Sequence, residues 1–233
     1  MQLWSNIGAS RATTANPKSG GATVALGYVA TLYLAWIGAW LLLSLLSKQV
    51  GWPGTSDARV LYWTLMKVML WIIPATYVLR YCGIRLREAF RGNGIRSILL
   101  WGVGAGVLIG AEVIIRHWVG QQPYTLTPGW PLVSTVLISP VVEEYVFRGA
   151  VLGALAQEYR FGWANLISSV LFLGAHLPGW YFAGTLVENL TQPIGGALSI
   201  FILGLIFGYV VFRSRSITAG IVAHALNNLF SVL

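Results

Sequence analysis

Charge and cysteine are scarce in this chain of 233 residues: only 9% of positions are Asp, Glu, Lys or Arg, and Cys82 is the single cysteine. Soluble domains carry about 25% charged residues, so a water-facing surface of ordinary composition is excluded. One cysteine excludes a disulfide scaffold, and a hydrophobic fraction of 56% excludes a disordered chain. Acids are rarer than bases, 7 against 15, which leaves a formal charge of +8. In a soluble domain that excess would suggest nucleic acid. In so apolar a chain it marks cytoplasmic loops beside anionic lipid, and no nucleic-acid partner is expected.

Apolar sequence is what abounds. Runs able to cross a hydrocarbon layer of ~30 Å, roughly 20 residues each, fall near 24–46, 60–80, 97–116, 131–157, 162–177, 195–212 and 217–233. Backbone groups in lipid must be bonded internally, and no alternating ten-residue pattern appears, so helices are expected. The predicted fold is all-α: a polytopic transmembrane bundle of about seven spans in one membrane domain over 1–233. Residues 1–23 are a polar N-terminal segment, and the first span exceeds the 7–15 residues of a signal-peptide core, so it reads as an uncleaved anchor.

Alternate connecting segments hold Arg11, Lys18, Arg80, Arg85, Arg87, Arg91, Arg96, Arg160, Arg213 and Arg215, whereas the opposite loops hold Lys48, Arg59 and Arg116. This asymmetry predicts an N-terminus inside the cytoplasmic membrane and, for an odd number of spans, a C-terminus outside. The stretch 81–96 reads equally as an amphipathic helix on the inner leaflet or a solvated loop. Gly102, Gly106 and Gly110, and again Gly204 and Gly208, are spaced for close helix packing. Trp130, Trp180 and Tyr181 read as interfacial anchors, and the segment 178–194 as a connector or a gating loop.

Ionisable groups inside spans are costly, about 2.5–3.5 kcal/mol each near the bilayer centre on insertion scales. Lys67 and Glu112 stand alone and read as snorkelling or pairing groups. The fourth span places Glu143, Glu144 and Arg148 within six residues, so these must face an internal cavity. Glu144 and Arg148 are helical i,i+4 neighbours suited to an ion pair, which leaves Glu143 free to bind water. A buried ion cluster that only holds the bundle together accounts for the same three residues.

In the fifth span Phe172 and His176 share a face, and Pro178 is expected to end the helix just after the histidine. In the seventh, His224 and Asn228 are again i,i+4 neighbours, both able to donate hydrogen bonds. A carboxylate, two imidazoles and a carboxamide at similar depth are the parts needed to activate a water and to hold an oxyanion. Glu143 must stay ionised for that task. A Zn²⁺ site would need three ligands, for which Glu143, His176 and His224 are candidates, but no His-Glu-x-x-His pair is present, so neither a metal nor another cofactor is expected. Cys82 sits at a helix end with no histidine nearby in sequence and is a weak nucleophile candidate.

The ordered set Glu143-Glu144…Arg148, Phe172…His176, His224…Asn228 resembles the CAAX protease and bacteriocin-processing (CPBP, or Abi) family of glutamic-type intramembrane proteases, to which the prenyl-protein endopeptidase belongs. The likeness covers about residues 131–230, so that 131–233 would be the catalytic core spans and 24–116 the variable N-terminal ones. It implies hydrolysis of a membrane-associated protein or peptide substrate at the bilayer. Glu143 and His176 would activate water, His224 and Asn228 would bind the oxyanion, and Glu144, Arg148 and Phe172 would support them. Two other functions compete: a proton-coupled transporter, since Glu, His and Arg also build relays, and a non-catalytic immunity or binding protein. No inverted repeat of the kind transporters show is visible.

Overall fold

A computed structural model describes residues 20–120 and 128–232, without the side chains of Glu112, Arg116 and His117. Arg11, Lys18 and most of the polar N-terminal segment, like the Glu112 side chain, lie outside the described residues. The helices are α1 (Gly21–Val50), α2 (Ser56–Tyr81), α3 (Leu86–Arg91), α4 (residues 95–120), α5 (residues 130–158), α6 (Phe161–Gly174), α7 (Leu177–Phe182), α8 (Leu186–Thr191), α9 (Ala197–Ser214) and α10 (Ile217–Ser231). No strand occurs among the described residues.

Each of the seven apolar runs is helical over most of its described length, and the chain is an all-α membrane helix bundle. Among the described residues, four helices are long and apolar enough to cross a membrane on their own: Gly21–Val50, Ser56–Tyr81, Ile95–Ile115 and Ala197–Ser214. The other three differ for physical reasons. α5 carries its cluster of charges, whereas α6 and α10 have only 14 and 15 residues, about 21 and 23 Å of rise. These three supply the interior. Every residue of α5 from Val142 to Leu155 is buried, while Leu34, Leu100, Leu108 and Trp118 on α1 and α4 present most of their surface outward, as lipid-facing side chains do.

Local chemistry sets the ends. Thr55 caps α2 by accepting from the Ala58 amide at 3.2 Å. Glu158, closing α5, accepts from the Gly20 and Ala22 amides at 3.2 and 2.9 Å; a carboxylate at that helix start suits the macrodipole. Gly92, at φ 50°, passes so close to the chain between α9 and α10 that an added Cβ would lie 2.6 Å from the Arg215 backbone. The stretch 81–96 is neither one amphipathic helix nor a free loop. It is the short α3 with Ile84 and Ala89 buried, tied to α9 by the Asn93 amide on the Ser214 carbonyl at 3.1 Å.

Two wide π-type turns precede prolines: Lys67–Ile72 before Pro74 and Ser134–Ile138 before Pro140. A proline inside a helix lacks the amide for its i−4 carbonyl and crowds it, and widening the preceding turn relieves both. Two more, Leu99–Val103 in α4 and Tyr145–Val151 after the paired glutamates, have no proline in the turn that follows them. The glycine stripes serve packing. A Cβ at Gly106 would come within 2.7 Å of Leu226 on α10, and one at Gly204 within 3.0 Å of Ser169 on α6.

Pro178 does more than stop a helix. α6 ends at Gly174, before His176, and Pro178 lies in the first turn of α7, where its missing amide costs nothing. The segment after His176 is thus two six-residue helices, α7 and α8, each about 9 Å long and too short to span.

Candidate active site

Glu143, His176, His224 and Asn228 line one cavity of about 200 Å³, together with Thr135, Ser139, Phe172, Phe207 and Asn227 among others. α5 contributes the carboxylate between its two wide turns, the α6–α7 junction the first imidazole, and α10 the second imidazole and the amide.

The two glutamates have different partners. Glu144 is fully buried, and its Oε1 accepts from His224 Nδ1 at 3.0 Å and lies 3.1 Å from Arg148 Nη1. The Arg148 contact is an ion pair rather than an aligned hydrogen bond, because Nη1 has no hydrogen-bond partner. Arg148 Nη2 donates to the Gly204 carbonyl at 3.0 Å, and its guanidinium lies 4.3 Å from the Phe172 ring centre, a cation–π contact. Phe172 in turn packs edge-on against His176 at 4.9 Å. The i,i+4 pair expected from sequence is therefore present, and Phe172 links the guanidinium to the histidine.

Glu143 is not the free carboxylate expected. Lys67 Nζ lies 3.2 Å from its Oε1 and donates to Ser139 Oγ at 2.7 Å. Its other oxygen, Oε2, is 3.9 Å from His224 Nε2, beyond hydrogen-bond range. Lys67, far from standing alone, joins the cluster from α2. Two carboxylates and two cations then balance, so the buried charge is compensated with both histidines neutral.

Hydrogen bonds set the tautomers. His176 Nδ1 lies 2.9 Å from the Phe172 carbonyl, and His224 Nδ1 faces the Glu144 carboxylate. Each partner only accepts, so each Nδ1 carries the proton, and in the neutral ring Nε2 holds a lone pair. His224 is stacked on Phe207 at 4.5 Å, which fixes its plane. Asn228 Nδ2 donates to the Thr135 carbonyl at 2.9 Å, and its Oδ1 accepts from Asn227 at 3.1 Å, leaving one amide hydrogen uncommitted.

Among the described residues, no three His, Cys, Asp or Glu side chains gather as a metal-ligand set, and the Lys67 ammonium already sits on one candidate ligand. Cys82, just past α2, does not line the cavity. Burial, reinforced by Glu158, pushes its thiol up to about 11, which keeps it protonated and poorly nucleophilic.

Lys67, Ser139, Thr135 and Asn227 were not singled out as site residues by sequence. For Lys67 the signal existed: it lies 11 residues into α2, and Glu143 lies 13 into α5, about 16 and 20 Å from the same side of the bundle. The others are polar residues common in helices and carry no such mark.

Residues 125–230 match the family model described as type II CAAX prenyl endopeptidase Rce1-like. Through that segment the chain is similar to the CAAX protease (CPBP) family. A protein of Bacillus subtilis (strain 168) named "Putative membrane peptidase YdiL" is 28% identical over 102 residues, which are 44% of this chain and 36% of that protein. The chain thus spans only about a third of that relative's length. No solved structure matches.

Proposed function

We propose that the chain is an intramembrane endopeptidase that hydrolyses a peptide bond of a membrane-associated or lipidated protein or peptide. The observation that carries this reading is the meeting of Glu143, His176, His224 and Asn228 around a single cavity; the family match and the peptidase named among its relatives support it. Glu143 Oε2, with His176 Nε2, accepts a proton from a cavity water as the water oxygen bonds to the scissile carbonyl carbon. The carbonyl becomes an oxyanion, met by Asn228 Nδ2–H. His224 can donate as well only once Nε2 is protonated, and Glu144 behind Nδ1 supports that imidazolium as a carboxylate does in a catalytic triad. The C–N bond then breaks as the proton passes from Glu143 or His176 to the departing amine. No covalent intermediate and no metal enter this scheme.

The bases and the cavity lie at opposite ends. Arg80, Arg85, Arg87, Arg91, Arg96, Arg160, Arg213 and Arg215 cluster where α2, α5 and α9 finish, whereas the cavity is lined by the first half of α5 and α9 and the second half of α10. Placing the arginines in the cytoplasm of a bacterial inner membrane sets the N-terminus inside and brings substrate from the opposite face.

Comparative terminal-peptide mass spectrometry of membranes from cells carrying wild type or Glu143→Gln tests the reaction. New termini are expected with wild type alone, with equal protein accumulation. Identical termini, or proton-driven flux in proteoliposomes without cleavage, overturn the reading.

A further inference from the structure

Lys67 belongs to none of the three motifs and lies outside the matched segment 125–230. A lysine in an apolar helix must reach an interface or find a partner. Lys67 is 11 residues from one end of α2 and 14 from the other, about 16 and 21 Å, farther than its four-carbon stem extends. It turns inward instead: its side chain is 13% exposed and that of Glu143 12%. Trp71, one turn along and buried, lies with its ring centre 5.9 Å from the ammonium.

The ammonium closes a three-membered contact across α2 and α5, donating to Ser139 Oγ at 2.7 Å and to Glu143 Oε1 at 3.2 Å. Each helix meets this contact at a wide turn. Lys67 opens the turn Lys67–Ile72, and Ser139 directly follows Ser134–Ile138. With Oε1 held, the oxygen left to meet water is Oε2, the one nearest His224 Nε2.

We propose that Lys67 is a positioning residue: it clamps one oxygen of Glu143 so that the other faces the cavity water, and it balances the charge of the buried base. Ser139, one helical turn before Glu143, is a second acceptor for the same ammonium, so the pair has one geometry rather than several. The inference rests on Glu143 being the base, and its test separates the two.

With the full chain and a peptide substrate, Lys67→Met is expected to lower kcat roughly 100-fold, the scale of a catalytic group held about 1 Å out of place, with KM changed less than about two-fold. Lys67→Arg restores most of the loss, because charge and reach survive. Lys48→Met, at the exposed end of α1, has no effect. A second readout needs no substrate. Lys67→Met lowers the melting temperature of wild type but not of Glu143→Gln, since the pair is already broken there. Unchanged kcat in Lys67→Met, or melting shifts that simply add, overturns the proposal. Full activity in Glu143→Gln sinks the base assignment instead, and the melting cycle then still reports whether the pair exists.

Discussion

Glu143 and Glu144 are consecutive residues with opposite surroundings. Glu144 faces the packed side of α5, with Arg148 and His224 on one oxygen and the other, Oε2, buried without a hydrogen-bond partner. Glu143 lines the cavity, with Lys67 on one oxygen and the second on the side of the Nε2 edge of His224. Both carboxylates face the same imidazole, Glu144 hydrogen-bonded at Nδ1 and Glu143 3.9 Å from Nε2. In the proposed reaction the difference becomes a division of labour: the carboxylate sealed by a guanidinium would orient, and the one with a free oxygen would react. Rotating by one residue along a helix, about 100°, is enough to separate the two tasks.

The comparison breaks most visibly at Glu143. Glu143→Gln keeps the shape but removes the proton acceptor, so turnover should fall by on the order of 10³-fold or more, with accumulation in the membrane unchanged. Peptide cleavage and the amount of protein in the membrane, measured on one preparation, check both halves. Glu144→Gln should reverse the pattern by attacking the fold. It strands a fully buried Arg148, and removing one partner of a buried pair typically costs about 3–5 kcal/mol. Thermal unfolding in detergent should show that loss even where no substrate is supplied; equal melting of the two variants would erase the distinction.

Much of this was legible in the sequence, for reasons that residues make plain. Apolar runs of spanning length without strand-like alternation marked the helices, and the i,i+4 spacing of Glu144 and Arg148 gave their ion pair because that contact is internal to one helix. Depth counting placed Glu143 level with His176 because the spans expected at 131–157 and 162–177 are joined by only about four residues. Contacts between distant helices were out of reach. Lys67 meets Glu143 across 76 residues, and spacing says nothing about which face of α2 turns to α5. Wide turns shift that face, and a sequence reading that assumes 3.6 residues throughout cannot register them. Likewise His176 falls past the end of α6 because the helix stops at Gly174, earlier than Pro178 alone would require.

A smaller effect sharpens the orienting half of the comparison. Gly220 on α10 backs the unpartnered oxygen of Glu144: a Cβ there would lie 2.8 Å from Glu144 Oε2 and 2.6 Å from Val211 Cγ2. Gly220→Ala should therefore cost about 1–3 kcal/mol by overpacking and slow turnover by displacing Glu144 and with it His224. Gly38→Ala, with nothing within 4 Å of its added Cβ, is the control that should leave both unchanged.

The smallest expected effect is none. A metal-dependent mechanism would draw on Glu143, His176 and His224, yet Glu143 Oε1 is already matched to an ammonium. A divalent ion bound at Glu143 would sit against the Lys67 cation, a repulsion that a low-dielectric cavity magnifies. Turnover should therefore survive a strong chelator such as 1,10-phenanthroline within about two-fold, across incubation times that strip Zn²⁺ from a zinc hydrolase run in parallel. Inhibition that added Zn²⁺ reverses would mean that the Lys67–Glu143 pair opens in the working enzyme, and the reactive carboxylate would then be a ligand rather than a base.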